Sequence, residues 1–386
     1  MSRCIPEFRD LFADLVACRT VSCADPAWDT GNREAAERLA GWLDELGFDC
    51  TLHPLPERAD KVNLVARLGP DTGGESGLAL AGHLDTVPYD KGKWTSDPFS
   101  LTERDGRLHG LGTADMKGFL ALAADVARDY RARALNAPLV ILASADEECG
   151  MDGARALAAG GPPPARYAVI GEPTGLVPIA RHKGIFMEAV AVGGRAGHSS
   201  NPAHGINSIE GMRHVLDAVL DYRDDLAGRG GGEGFPVPHA TLNAGVLRGG
   251  DSPNRIPARC ELQLDLRFLP GDRIETLRDG LRERVRAALA DGPWSLDFTE
   301  LFVGTPAFET PADSPIVRAA AELTGESPAA VDFGTEGAFY NDWGMDTVIL
   351  GPGDIAQAHQ PDEYLALDRI EPMKRILHGL IERFCV

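Results

Sequence analysis

Pro138–Ala145 reads PLVILASA, eight residues without a charge, and Asp146-Glu147-Glu148 follows at once. An apolar run this short and this continuous fits a strand buried on both faces. Such a strand needs cover above and below, which narrows the fold to a sheet with helices on both sides. The surrounding pattern agrees. Val62–Leu68, Leu78–Val87 and Tyr167–Gly171 read as further strands, and Asn32–Leu46, Met116–Tyr130 and Gly153–Ala159 carry helical spacing. Strands alternating with helices predict an α/β domain whose mixed sheet is mostly parallel.

Near residue 181 the periodicity changes. Arg259–Phe268 alternates cleanly, with Leu262, Leu264, Leu266 and Phe268 on one face. Ala240–Leu247 also alternates cleanly, Ile185–Val192 alternates partly, and Asn207–Leu226 and Arg273–Ala290 read as helices. Two helices on an antiparallel sheet make a compact α+β unit. After Gly292-Pro293 the α/β pattern returns, with Asp346–Leu350 as a strand and a last helix from about Asp368. The reading is one α/β domain, 1–180 with 294–386, interrupted by an inserted domain at 181–293. The 386 residues suit two or three domains, at about 150 residues each. The run Gly228–Gly234 is a loop; it follows a helix and lacks the GxxxxGK[ST] order of a phosphate loop.

Thirty-eight Lys and Arg stand against 58 Asp and Glu, a formal charge of −20. That excludes a nucleic-acid surface, which phosphates require to be basic, and it suits attraction of cations. No apolar run approaches the 18 or more residues of a membrane span, so no membrane partner is expected. The opening MSRCIPEFRDLF is charged where a signal peptide would be apolar, which predicts a cytoplasmic chain. The seven cysteines are scattered with no CxxC pair, so they read as reduced thiols and not as a thiolate metal site.

The chemistry collects just beyond the strands. His83 and Asp85 follow Leu78–Ala81; Asp115 sits in GLGTADMKG; Glu147 and Glu148 follow PLVILASA; Glu172 follows YAVIG; His359 follows DTVIL and its loop. In open α/β sheets, sites form at the carboxyl ends of strands. Taken singly, each carboxylate is an ordinary solvated loop residue. Taken together, imidazole and carboxylate without cysteine suit zinc, cobalt or manganese. His83, Asp115, Glu148, Glu172 and His359 suffice for two ions that share Asp115, at about 3.5–4 Å from each other. Asp85, two residues from His83, is expected behind the imidazole as its hydrogen-bond partner. Glu147 is left as the candidate general base.

AGHLDTVP, GLGTADMKG, ADEE, IGEPT, GRAGHSS and AHQPDEYL, in this order, resemble the co-catalytic zinc aminoacylase and carboxypeptidase family. The resemblance implies two divalent ions, most simply Zn2+ with Co2+ able to substitute, and a cis peptide bond between Asp115 and Met116. It implies a homodimer formed through the inserted domain. It also implies that His198 donates to the oxyanion in the partner subunit's site, and that Asn254 and Arg267 hold the substrate carboxylate. Gly334, Thr335 and Glu336 correspond to a substrate loop, with Glu336 facing a substrate ammonium. Two residues keep plain alternatives: Arg267 as the partner of Asp265 or Glu261, and His198 as a turn residue capping the next helix. DTVPYDKGKWTSDPF and GGDSPNRIPARCELQLDLRFLPG carry the flavour of the sub-family that hydrolyses N2-acetyl-L-ornithine to ornithine and acetate, in arginine synthesis. The alternatives are another N-acyl amino acid or dipeptide, such as succinyl-diaminopimelate or acetylcitrulline, a single-ion enzyme, or a binding relative without catalysis.

Overall fold

The computed structural model describes residues 6–160 and 163–386. Cys4 lies outside them; the other six cysteines are free thiols. The chain forms two compact units. One holds the residues up to Ala180 with Thr310–Ala329 and Thr335–Val386; the other holds Arg181–Glu309 with Ala330–Gly334.

In the first unit, four strands run parallel in the order Leu139–Ser144, Leu78–His83, Tyr167–Ile170, Asp346–Ile349. Val62–Leu68 adds antiparallel to Leu139–Ser144, and Asp49–Pro54 adds antiparallel to Val62–Leu68. This is the mixed, mostly parallel α/β sheet expected from the sequence. Every residue of Leu78–His83 and of Leu139–Ser144 is buried, so both faces are covered. The main core takes helices Phe8–Ala17, Arg33–Glu45, Lys117–Ala127, Pro315–Thr324 and Ile370–Phe384. A separate small cluster, Met151, Ala154 and Phe339 with Trp343, involves helices Asp152–Gly160 and Gly337–Asp342. Thr102–Arg104, Arg107–His109 and Tyr364–Ala366 make a small antiparallel sheet. The Asp115–Met116 peptide is cis, as the resemblance implied. The strand expected over Leu78–Val87 ends at His83.

The second unit is an antiparallel sheet in the order Thr241–Gly249, Arg259–Phe268, Gly184–Gly193, Ser295–Thr305. Helices Ser208–Gly228 and Ile274–Leu289 pack on it. Leu262, Leu264, Leu266 and Phe268 all enter this core, which is why their strand alternates so cleanly. The unit runs past the expected boundary at 293. Ser295–Thr305 pairs with Gly184–Gly193, and its Leu296 and Phe298 pack against the same core. Strand pairing therefore outweighs the Gly292-Pro293 break. Among the described residues no helix is long and apolar enough to cross a membrane.

Close packing holds the strand ends in place. A Cβ added to Gly171 would come within 1.9 Å of the Phe119 ring, which is itself 1% exposed. Gly171→Ala is expected to cost about 1–3 kcal/mol, the usual range for overpacking. Urea unfolding checks this; an unchanged midpoint would show that the ring moves aside freely.

Candidate metal centre

All the residues of this cluster lie in the first unit. His83 ends its strand. Glu147 and Glu148 sit in the turn after Leu139–Ser144, and Glu172 follows Tyr167–Ile170. Asp115 precedes helix Lys117–Ala127, and His359 lies in the loop after Asp346–Ile349 at φ 61°. Parallel strands share one carboxyl edge, so residues distant in sequence meet there.

The ligand atoms fall into two overlapping groups. His83, Asp115 and Glu148 each offer an atom within 4.8 Å of the others, and so do His83, Glu147 and Glu172. His83 Nε2 stands 3.1 Å from Asp115 Oδ1. His359 Nε2 lies 3.5 Å from Asp115 Oδ2 and 3.0 Å from Glu148 Oε2. Asp115 thus faces one imidazole with each oxygen.

Asp85 behaves differently from the expectation. His83 Nδ1–H donates to the Asp85 backbone carbonyl at 2.9 Å, while the nearer carboxylate oxygen is 3.8 Å away. The Asp85 carboxylate instead accepts the main-chain N–H groups of Glu147 (3.3 Å) and Glu148 (3.1 Å). A turn at a strand end has N–H groups without ladder partners, and a buried carboxylate answers them. Asp85 therefore fixes the imidazole through its backbone and the Glu147-Glu148 turn through its side chain. With Nδ1–H committed to a carbonyl, Nε2 is the ring nitrogen turned toward the cluster, the placement a metal-binding histidine requires.

The electrostatics call for a cation. Asp85, Asp115, Glu147, Glu148 and Glu172 crowd round two imidazoles. The buried lysines nearby are engaged elsewhere: Lys117 Nζ donates to the Cys18 carbonyl at 2.8 Å, and Lys61 pairs with Asp146 and with Asp29. Burial, reinforced by neighbouring carboxylates, raises Glu147, Glu172 and Glu148 above the usual carboxylate range. Asp115 goes the other way: burial would raise it, but hydrogen bonds from His359 and His83 hold it low. Burial disfavours charge on His83, yet the Asp115 hydrogen bond and the surrounding carboxylates raise it well above the ordinary value. Hydrogen bonds to Asp115 and Glu148 push His359 up to about 10. Glu172 Oε1 is buried with no hydrogen-bond partner. An orphaned carboxylate oxygen among oxygen and imidazole donors is the donor set a divalent cation satisfies, and the residues fit one.

Sequence reasoning left three anchoring groups unassigned. Glu363, inside AHQPDEYL, accepts main-chain N–H groups of the Asp115 loop. The buried Lys61–Asp146 pair anchors the residue before Glu147, at φ 61°. Asn63 accepts from Ala145 N–H and donates to the Gly153 carbonyl. Glu363 and Asp146 lie within AHQPDEYL and ADEE, yet the motifs assign them no role; only the placement of their partners in space reveals what these groups do. Glu336 opens helix Gly337–Asp342 and is buried, with Oε2 accepting from the Ser144 hydroxyl at 2.8 Å and Oε1 unpartnered. Burial raises it to about 7. Thr335 Oγ1 accepts from Gly337 N–H.

The remaining expected site residues belong to the second unit. Gly334 lies in its short Ala330–Gly334 segment. His198 is exposed, with Nδ1 held by Ser200; Asn201, not His198, caps the short helix Pro202–His204. Asn254 is exposed and accepts from the Ser252 hydroxyl. Arg267 is paired with Asp265, Nε to Oδ1 at 3.0 Å.

The profile of Peptidase family M20/M25/M40 matches residues 79–383. The chain belongs to this family and is a metal-dependent amidohydrolase. More particularly, it is 44% identical over 385 residues to the acetylornithine deacetylase of Edwardsiella ictaluri, covering 100% of both chains. It is 43% identical over 380 residues to that of Aliivibrio fischeri, covering 98% of this chain and 99% of the relative. Among solved structures, a Staphylococcus aureus tripeptidase superposes at TM-score 0.76 and 18% identity, covering 98% of this chain and 97% of its own. A Bacillus subtilis M20 peptidase described as dinuclear metal-binding gives TM-score 0.69 and 14% identity, covering 97% and 96%. These structures share the fold.

A pH experiment checks the electrostatics. In the metal-free protein, burial raises Glu336 to about 7 and Glu363 to about 8. The folded state then binds more protons than the unfolded chain between those values and the ordinary carboxyl value of about 4.3. Stability is therefore lost as pH rises through this window, and the raised His359 acts in the same direction. The unfolding temperature of chelated protein is expected to fall from about pH 5.5 to about pH 8.5, with excess divalent cation flattening the slope. A midpoint that rises with pH would show these carboxyls charged in the folded protein.

Proposed function

We propose that the chain hydrolyses N2-acetyl-L-ornithine to L-ornithine and acetate, a step of arginine synthesis in the cytoplasm. The observation that carries this reading is the buried double cluster around His83 and Asp115, joined to full-length similarity to acetylornithine deacetylases. His83, Asp115, Glu148, Glu172 and His359 would hold two divalent ions, Zn2+ or Co2+, with Asp115 shared. When bound, the ions polarise the amide carbonyl and lower the pKa of water from 15.7 toward about 7.

The protein groups supply the rest. Glu147 takes the proton of the attacking water and delivers it to the departing amine. Burial keeps its affinity for a proton high, which suits a group that must accept one and release it. Asp85 holds the Glu147 and Glu148 amides, so the base and a ligand share one rigid turn. His198 of the partner subunit donates to the oxyanion in a homodimer formed through the second unit; one such donor is worth about 10²–10³ in rate. Asn254 and Arg267 hold the substrate carboxylate. Arg267 uses two of its five N–H groups on Asp265, which leaves others for a ligand. Gly334, Thr335 and Glu336 form the loop that meets the substrate side chain, Glu336 with its free oxygen toward the ammonium.

Glu147→Gln should keep its metal content and lose about 10²–10⁴-fold in kcat. Metal counting by mass spectrometry beside steady-state kinetics checks both; turnover within a few-fold of wild type would move the base elsewhere. For the substrate, kcat/KM is measured for N2-acetyl-L-ornithine, N-acetyl-L-citrulline, N-succinyl-LL-diaminopimelate and a dipeptide. Acetylornithine is expected to lead. A preference for the succinyl amide or the dipeptide would overturn the assignment.

A further inference from the structure

Two loops that carry candidate ligands come from distant parts of the chain, and one buried carboxylate ties them together. Glu363 is 2% exposed. Its Oε1 accepts the N–H groups of Ala114 at 2.7 Å and Asp115 at 3.1 Å, and its Oε2 accepts Gly112 N–H at 3.0 Å. The backbones are joined as well. Gly110 N–H donates to the Glu363 carbonyl, His109 Nδ1 contacts the Asp362 carbonyl, and Tyr364 pairs with His109 across the small sheet.

The geometry of the Gly110–Asp115 loop depends on this acceptor. Gly112 has φ 80°, and a Cβ there would come within 2.9 Å of Thr86 and 3.0 Å of Lys117. The loop thus turns three N–H groups toward one point, where no strand or helix carbonyl receives them. Only one carboxylate with both oxygens occupied satisfies all three. One of the three belongs to Asp115 itself, the residue that would be shared by both ions. His359 lies four residues before Glu363 on the same segment.

We propose that Glu363 is a positioning residue that sets the affinity of the centre for its metal ions. It does so by locking the Asp115 loop to the segment that bears His359. The inference rests on the metal-centre reading above. It goes beyond that reading by assigning affinity to a group that touches no ion.

Zinc titration calorimetry on the full-length chelated protein tests it, comparing wild type with Glu363→Gln and Glu363→Asp. Glutamine keeps one acceptor oxygen and turns an NH2 toward an N–H donor; aspartate is too short to reach all three amides. Both variants are expected to bind zinc about 10–100-fold more weakly, the scale typical of groups that orient a metal ligand. The rise in unfolding temperature on adding zinc should shrink with them. A purely structural role would lower the unfolding temperature of the metal-free protein and leave zinc affinity unchanged in the folded fraction, and that result overturns the proposal. If neither variant folds, amide hydrogen exchange on the wild type decides. Gly112, Ala114 and Asp115 should be protected and slow further on adding zinc; exchange at an open-loop rate that ignores zinc overturns it. A wild type that takes up no zinc sinks the metal-centre reading and this inference with it. Two ions bound equally well by wild type and by Glu363→Gln sinks the inference alone.

Discussion

The crowding of buried carboxylates around Asp115 is the constraint on which the rest depends. Ionised carboxylates out of water are costly unless paired, and two imidazoles are too few for the acids gathered here. The protein does not recruit lysine to the task. Lys61 and Lys117 are close by and buried, yet both donate to other partners. Metal-free, the cluster shares protons: Asp115 held low, Glu147 and Glu172 raised, the imidazoles charged. A divalent cation would do the same work without protons.

The arrangement is delivered by the sheet and held by a second layer of polar groups. Parallel strands end together, which brings His83, the Glu147 turn and Glu172 to one edge. The turns that carry Asp115 and the Glu147-Glu148 pair are then anchored by buried side chains that accept main-chain N–H groups. Asp85 serves Glu147 and Glu148, Glu363 serves Gly112, Ala114 and Asp115, and Asn63 serves Ala145. Backbone anchoring of this kind is less sensitive to side-chain motion than side-chain packing alone, and it suits ligands that must stay fixed whether or not an ion is bound.

Much of this was legible in the residues. PLVILASA had to be a strand covered on both faces, and it is. The acids and imidazoles read as lying beyond strand ends do converge there, because the order of parallel strands makes convergence geometric. What failed was finer. His83 and Asp85 share the alternation of a strand, but the strand stops at His83, and unpaired N–H groups in the next turn take the Asp85 carboxylate. Gly292-Pro293 looks like a domain boundary, yet strand pairing carries Ser295–Thr305 into the second unit. Glu363 sits within AHQPDEYL, but nothing there spoke of its role: an acid after Pro-Asp is ordinarily solvated, and only the fold reveals three amides pointed at it.

Anomalous diffraction at the zinc absorption edge, on crystals of zinc-loaded protein, tests the central claim most directly. Two peaks about 3.5–4 Å apart are expected, both within bonding distance of Asp115, one beside His83 and the other beside His359. A map without anomalous density between those three side chains would contradict the account.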